Sequence, residues 1–187
     1  YLADVRALCD LVAERSGDRQ IFLFGNSLGG LIVSLYGLRH PEQIRGTVLT
    51  APFFGPAFRV PRVLDLCARA ASLLHPTFCL PRQREDQPGR VTLRWWTETL
   101  AAQQAWRREA EKYTLPVLIL HGQEDAVSCP STAYSLFQRL GSRDKIFGIY
   151  PGARHQDLDP CQGPRWWSKV GQWVRRRAEN AVARRAA

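Results

Sequence analysis

The chain has 187 residues, of which 45% are apolar and 10% aromatic, so it can bury the core of about one ordinary domain, which excludes a disordered tail or a small disulfide-stapled fold. The 26 basic and 17 acidic residues give a net charge of +9, with no motif for nucleic-acid recognition beside it. No stretch reaches the roughly 18 consecutive apolar residues that a membrane-spanning helix requires, so a soluble segment is expected.

The elements follow in chain order. Leu2, Val5, Leu8, Leu11 and Val12 are spaced for one face of a helix over 2–16, with Gly17 as its stop. Ile21-Phe22-Leu23-Phe24 is too short for a helix and rich in strand formers, and it ends at Gly25. A second helix is predicted from Leu28 to Leu38, ahead of Pro41, and a second strand from Gly46 to Leu49. Pro116–Leu120 and Lys145–Tyr150 read as two more strands, with an amphipathic helix between them carrying Ala133, Leu136, Phe137 and Leu140. A last helix is predicted from about Pro164, burying Trp166, Trp167, Val170, Trp173 and Val174. Continuous apolar strands alternating with helices predict an α/β fold with a parallel sheet covered on both faces.

The stretch from Phe54 to Tyr113 interrupts this alternation. It holds two helical patterns, one over Val63–Leu74 and one over Val91–Lys112, joined by a turn-rich connector with Pro76, Pro81, Pro88 and Gly89. The expected division is therefore 1–53 and 114–187 as core, with 54–113 as a helical insertion that covers a pocket. Trp95, Trp96 and Trp106 are expected to pack between this insertion and the sheet.

The five cysteines are dispersed, with no C-x-x-C pair, and read as free thiols in a reducing compartment rather than a zinc or redox site, with a secreted form carrying one or two bridges as the alternative. Methionine is absent and residue 1 is Tyr, which predicts a C-terminal piece of a longer protein, with targeting signals outside it.

Gly25-Asn26-Ser27-Leu28-Gly29 is G-x-S-x-G, set directly between a predicted strand and a predicted helix. So tight a turn forces Ser27 into a strained backbone conformation and exposes its hydroxyl. Side chains at Gly25 and Gly29 are expected to collide with neighbouring backbone. The free N–H groups of the helix N-terminus then lie beside a developing oxyanion.

A serine nucleophile needs a base, and the base needs an orienting group. His40 and His75 each precede a proline at a helix end, and His121 reads as a turn residue. His155 lies in the loop after the last strand, on the same sheet edge as Ser27, and is the expected base. In His121-Gly122-Gln123-Glu124-Asp125, the shorter carboxylate of Asp125 is preferred as the acid over Glu124. The order Ser, Asp, His fits one of the known triad orders.

Gly25–Gly30, the Pro-Val-Leu-Ile-Leu-His-Gly-x-x-Asp block at 116–125 and Tyr-Pro-Gly-Ala-Arg-His at 150–155 together resemble the α/β-hydrolase superfamily. Within it they are most similar to the monoacylglycerol lipase and lysophospholipase branch. The resemblance implies that the visible strands are five to eight of an eight-stranded sheet, with a helical cap after strand six. It also implies one oxyanion donor from the Leu28 N–H, the second coming from a loop after strand three that lies outside this sequence. Asn26 and Gln156 stand where that branch often has His and Glu, and both read as drift.

The expected activity is hydrolysis of a monoacylglycerol, lysophospholipid or similar carboxylic ester through Ser27, Asp125 and His155, with an acyl-enzyme intermediate. No metal or organic cofactor is implied. Thioesterase, peptidase and acyltransferase chemistry stay open, and the contrasting reading is an inactive hydrolase scaffold used for interaction, or a truncated product. The arginines at 175, 176, 177, 184 and 185 read as a solvated face, with docking to anionic lipid headgroups as the sharper alternative. A cytoplasmic location, with peripheral membrane association, is the corresponding expectation.

Overall fold

The computed structural model describes residues 1–18, 20–58, 60–82, 89–161 and 166–186. Four parallel strands form the central sheet: β1 (Ile21–Asn26), β2 (Ile44–Thr50), and, after the insertion, two strands that complete it, Val117–Gly122 and Lys145–Tyr150. The insertion carries an antiparallel hairpin of its own, β3 (Cys79–Arg82) with β4 (Gly89–Thr92), so the later sheet strands are β5 (Val117–Gly122) and β6 (Lys145–Tyr150). The sheet order is β1-β2-β5-β6. All six residues of β5 are buried, as expected of a central strand covered on both faces.

The helices are α1 (Leu2–Ser16), α2 (Leu28–Arg39), α3 (Arg62–Leu74), α4 (Leu93–Glu109), α5 (Pro130–Arg139) and α6 (Trp167–Ala186). α1 ends where expected, at Gly17 with φ 69°, whose N–H bonds to the Ala13 carbonyl. Its core face is Leu2, Val5 and Cys9; Leu8, Leu11 and Val12 turn outward instead.

Two apolar layers flank the sheet. On one side Leu31, Tyr36, Phe54, Trp106, Tyr113 and Ile119 join α2, α4 and α5 to the strands. Trp106, 1% exposed, meets Phe54 and Tyr113 with ring centroids 5.3 Å away in each case. The Tyr113 and Thr47 hydroxyls satisfy each other at 2.6 Å inside this layer. On the other side Trp166, with Val170 and Trp173 of α6, lies over Val48, Leu118 and Leu120.

Several sequence expectations shift. Trp167 is 40% exposed rather than buried, because α6 begins there; its expected start at Pro164 lies outside the described residues. Arg177 is not a solvated residue: it pairs with Asp144 and stacks on Trp173 at 4.0 Å. The side chains of Arg184 and Arg185, like Pro88 of the connector, lie outside the described residues.

The connector is the hairpin β3–β4, and α4 starts at Leu93 rather than Val91. β-branched Val91 and Thr92 favour strand, and the Thr92 hydroxyl caps the helix by accepting the Trp95 N–H at 3.1 Å. α3 is turned inside out. Its Ser72 is buried against Thr97 of α4, at 3.3 Å between hydroxyls, while Val63, Leu64, Leu66, Leu73 and Leu74 all face solvent. Among the described residues no helix is long and apolar enough to cross a membrane.

Placing Trp106 in the main core predicts that Trp106→Ala costs about 3–5 kcal/mol of stability. Trp96, half-buried and stacked on Phe58 at 6.0 Å, should cost clearly less on truncation. Urea midpoints of the two variants check this, and equal shifts would contradict the placement.

Candidate active site

β1 runs straight into Ser27, which has φ 51° and ψ −116°, and α2 begins at the next residue. Ser27 and Ala51 are the two non-glycine residues with positive φ among those described, and they sit at the ends of adjacent strands β1 and β2. The Ser27 backbone is pinned on both sides. Its N–H bonds to the Thr50 carbonyl at 3.0 Å, and its carbonyl accepts from Phe53 at 2.9 Å and Gly30 at 3.0 Å.

A Cβ at Gly25 would lie 2.5 Å from the Gly29 carbonyl oxygen, so the expected collision is there. At Gly29 the expectation fails, since nothing lies within 4 Å of a Cβ built there. Gly30 is the second constrained position, where a Cβ would come within 2.8 Å of Pro52. The turn packs against the loop after β2 on the Gly30 side and is open on the Gly29 side.

The acid and histidine loops leave β5 and β6, which are neighbours, and they bond to each other. The Gln123 N–H donates to the Tyr150 carbonyl at 3.0 Å, and the Glu124 N–H to the Ala153 carbonyl at 2.9 Å. Gly152 takes φ 71° in the turn that brings His155 back over the sheet edge.

The structure brings the three expected side chains together. The Ser27 hydroxyl lies 2.9 Å from His155 Nε2, and His155 Nδ1 lies 2.7 Å from Asp125 Oδ2. With Nδ1–H donating to the carboxylate, Nε2 is left as the acceptor for the serine O–H. Asp125 Oδ1 accepts the N–H groups of Val127 and Ser128, both at 2.8 Å. Glu124 is exposed and takes no part in this contact, because its neighbour in the turn is the residue directed inward.

Burial alone would raise the Asp125 pKa. The His155 hydrogen bond and charge, with the Ser128 and Val127 N–H groups, outweigh it and hold the carboxyl below its ordinary value. Leu28, as the first residue of α2, has an N–H with no partner inside the helix.

His121 is not the turn residue expected. It is a strand residue of β5 with 0% exposure, its Nδ1 3.2 Å from the Gly122 carbonyl and 3.8 Å from Asp125 Oδ2. Burial pushes its pKa down, against the opposing pull of the Gly122 carbonyl and Asp125. His40 and His75 cap the C-termini of α2 and α3, away from the triad.

Supporting residues that sequence reasoning missed include Ser128, whose hydroxyl donates to the Pro52 carbonyl at 2.5 Å, and Gln103, whose amide donates to the Phe53 carbonyl at 2.9 Å. Both fix the loop after β2, and no local motif marks either. An open, largely apolar groove of about 700 Å³ lies between α2 and α4, with Leu28, Leu31, Ile32, Leu35 and Trp95 in its wall beside the charged Arg39, Arg94 and Glu98. Among the described residues no group of three or more His, Cys, Asp or Glu side chains is placed to hold a metal ion, and all five cysteines are free.

Comparison with known proteins agrees with this fold. The family model described as serine aminopeptidase, S33, matches residues 1–159. A putative monoglyceride lipase of Schizosaccharomyces pombe is 25% identical over 191 residues, covering 86% of this chain and 49% of its own. The caffeoylshikimate esterase of Arabidopsis thaliana is 27% identical over 174 residues, covering 74% of this chain and 48% of its own. The chain thus spans about half the length of these two relatives. The crystal structure of Paleococcus ferrophilus monoacylglycerol lipase superposes with a TM-score of 0.73 at 24% identity, covering 92% of this chain and 73% of that one.

The lowered pKa of Asp125 fixes the sign of a pH dependence. A carboxyl depressed by folding adds stability that is fully present above its unfolded value, about 4, and is lost as pH falls through the lower folded value. The stability gap between the wild type and Asp125→Asn should therefore hold steady near neutral pH and close on acidification below about 4. Thermal melts across pH measure it, and a gap that widens in acid would contradict the assignment.

Proposed function

This chain belongs to the serine aminopeptidase S33 family of α/β-hydrolases, and from that premise we propose that it is a serine ester hydrolase acting on monoacylglycerols or lysophospholipids through Ser27, His155 and Asp125. The observation that carries the reading is the continuous relay from the Ser27 hydroxyl, 2.9 Å to His155, and on to Asp125 at 2.7 Å. An inactive scaffold would give no reason to hold a serine at φ 51° with an imidazole against its hydroxyl.

In the proposed reaction, His155 Nε2 takes the Ser27 proton as Oγ attacks the acyl carbonyl. Asp125 holds the imidazole in the tautomer that leaves Nε2 free, and balances its charge once protonated. The Leu28 N–H receives the oxyanion, and loss of one such donor typically costs on the order of a hundredfold or more in rate. His155 then passes its proton to the leaving alcohol, and water, activated by the same imidazole, releases the acid from the acyl-enzyme.

Three features support a lipid ester over a small polar one. A relative named as a putative monoglyceride lipase aligns with this chain. The groove between α2 and α4, with Leu28 in its wall, is lined mainly by aliphatic and aromatic side chains, suited to an acyl chain. The insertion at 54–113, read as a cap, turns the aliphatic face of α3 to solvent, where a lipid surface would cover it.

In the intact protein a fluorophosphonate probe should label Ser27, and Ser27→Ala should abolish both the label and ester hydrolysis, by on the order of 10⁴-fold or more. Absence of labelling at Ser27 would overturn the reading. For the lipid surface, replacing Leu64, Leu66 and Leu73 with Gln should slow hydrolysis of vesicle-borne monoacylglycerol while leaving a soluble short-chain ester unaffected. An equal loss on both substrates would argue against membrane contact.

A further inference from the structure

Asn26, the residue before the nucleophile, bonds to far more than its neighbours. Its amide nitrogen has two hydrogens and three acceptors in reach: Thr50 Oγ1 at 2.9 Å, the Leu158 carbonyl at 3.1 Å and the Thr50 carbonyl at 3.3 Å. Thr50 is its partner across the β1–β2 pairing, and the same Thr50 carbonyl accepts the Ser27 N–H. Leu158 is 132 residues away, in the short turn Gln156–Leu158 that begins directly after His155.

Sheet order shows why this bond matters. β1, which carries Ser27, and β6, which carries the His155 loop, are separated by β2 and β5. Three strand spacings put them about 14 Å apart. The histidine loop is tied by backbone bonds to the acid loop beside it, and not to β1. Among the described residues, two hydrogen bonds link residues 151–161 to β1 and its turn: His155 to Ser27, and Asn26 to Leu158. The first is the catalytic contact itself, which must loosen and reform as the proton moves. The second is free to hold the spacing throughout.

We propose that Asn26 is a positioning residue that sets the distance between nucleophile and base, by anchoring the turn behind His155 to the strand that carries Ser27. This inference rests on the triad reading above. Leu158 is buried at 1% exposure among Trp166 and Leu120, so a carbonyl held there transmits its position to the backbone of the histidine turn. The residue type follows from the geometry: a carboxamide on a single methylene offers two N–H donors at once. Aspartate would set a carboxylate against two carbonyl oxygens.

The test uses the intact protein, a soluble chromogenic ester and active-site titration with a fluorophosphonate, so that rates are per competent site and losses from misfolding cancel. Asn26→Ala should lower kcat per titrated site by about ten- to a hundredfold, the range expected when a base is displaced by up to an ångström, with KM unchanged. Asn26→Ser, whose hydroxyl reaches less far than the amide, should show a comparable loss and serves where the alanine variant does not fold.

A wild-type kcat per site in Asn26→Ala or Asn26→Ser overturns the proposal, since the residue then supports folding alone. A wild type that takes no label at Ser27 instead refutes the triad reading, and is distinguished from that outcome.

Discussion

Ser27 is held at φ 51° and ψ −116°, a region that costs a non-glycine residue of order 1–3 kcal/mol and persists only where its surroundings over-determine it. Here the surroundings do so from every side. The Ser27 N–H is bonded to β2, its carbonyl accepts from the loop after β2, and the glycines at 25 and 30 let backbone and Pro52 approach where a Cβ would intrude. The strain has a chemical consequence. It brings the hydroxyl to His155 Nε2 at 2.9 Å while the chain turns at once into α2.

The rest of the molecule can be understood as support for that turn. A parallel sheet delivers the carboxyl ends of β1, β5 and β6 to one edge, so three residues distant in sequence share one rim. The loops that carry Asp125 and His155, being neighbours, lock together through backbone bonds. Ser27 follows β1, which β2 and β5 separate from β6, and the Asn26 amide links it to the turn after His155. Gln103 of α4 and Ser128 beside α5 brace the loop after β2, so the helices of the core layer reach the serine through a few hydrogen bonds rather than by packing alone.

Much of this was legible in the sequence, because the features concerned are local or periodic. The four sheet strands are apolar runs bounded by glycine, proline or charge, and the G-x-S-x-G turn, the acid loop and the histidine loop each follow one directly. What escaped depends on contacts between segments. His121 looked like a turn residue, yet pairing with β6 carries β5 through it to Gly122 and buries it. Asn26 looked like drift because its partner, Leu158, lies 132 residues on. The hairpin Cys79–Arg82 with Gly89–Thr92 was hidden by prolines that argue against strand, and Gly29 appeared constrained only because the motif does not say which glycine faces Pro52. Trp167 and the outward leucines of α3 show the same limit: helical spacing names a face but not the direction in which it points.

The central claim is that the hydroxyl at the strained turn becomes covalently acylated. An aryl carbamate tests it most directly, because the adduct it leaves on a serine is slow to hydrolyse. Peptide mass spectrometry of the intact protein after reaction should find one carbamoyl group, on the peptide that contains Ser27, in step with release of one equivalent of phenol. Phenol release with Ser27 unmodified, or with the carbamoyl group on another side chain, would contradict the account.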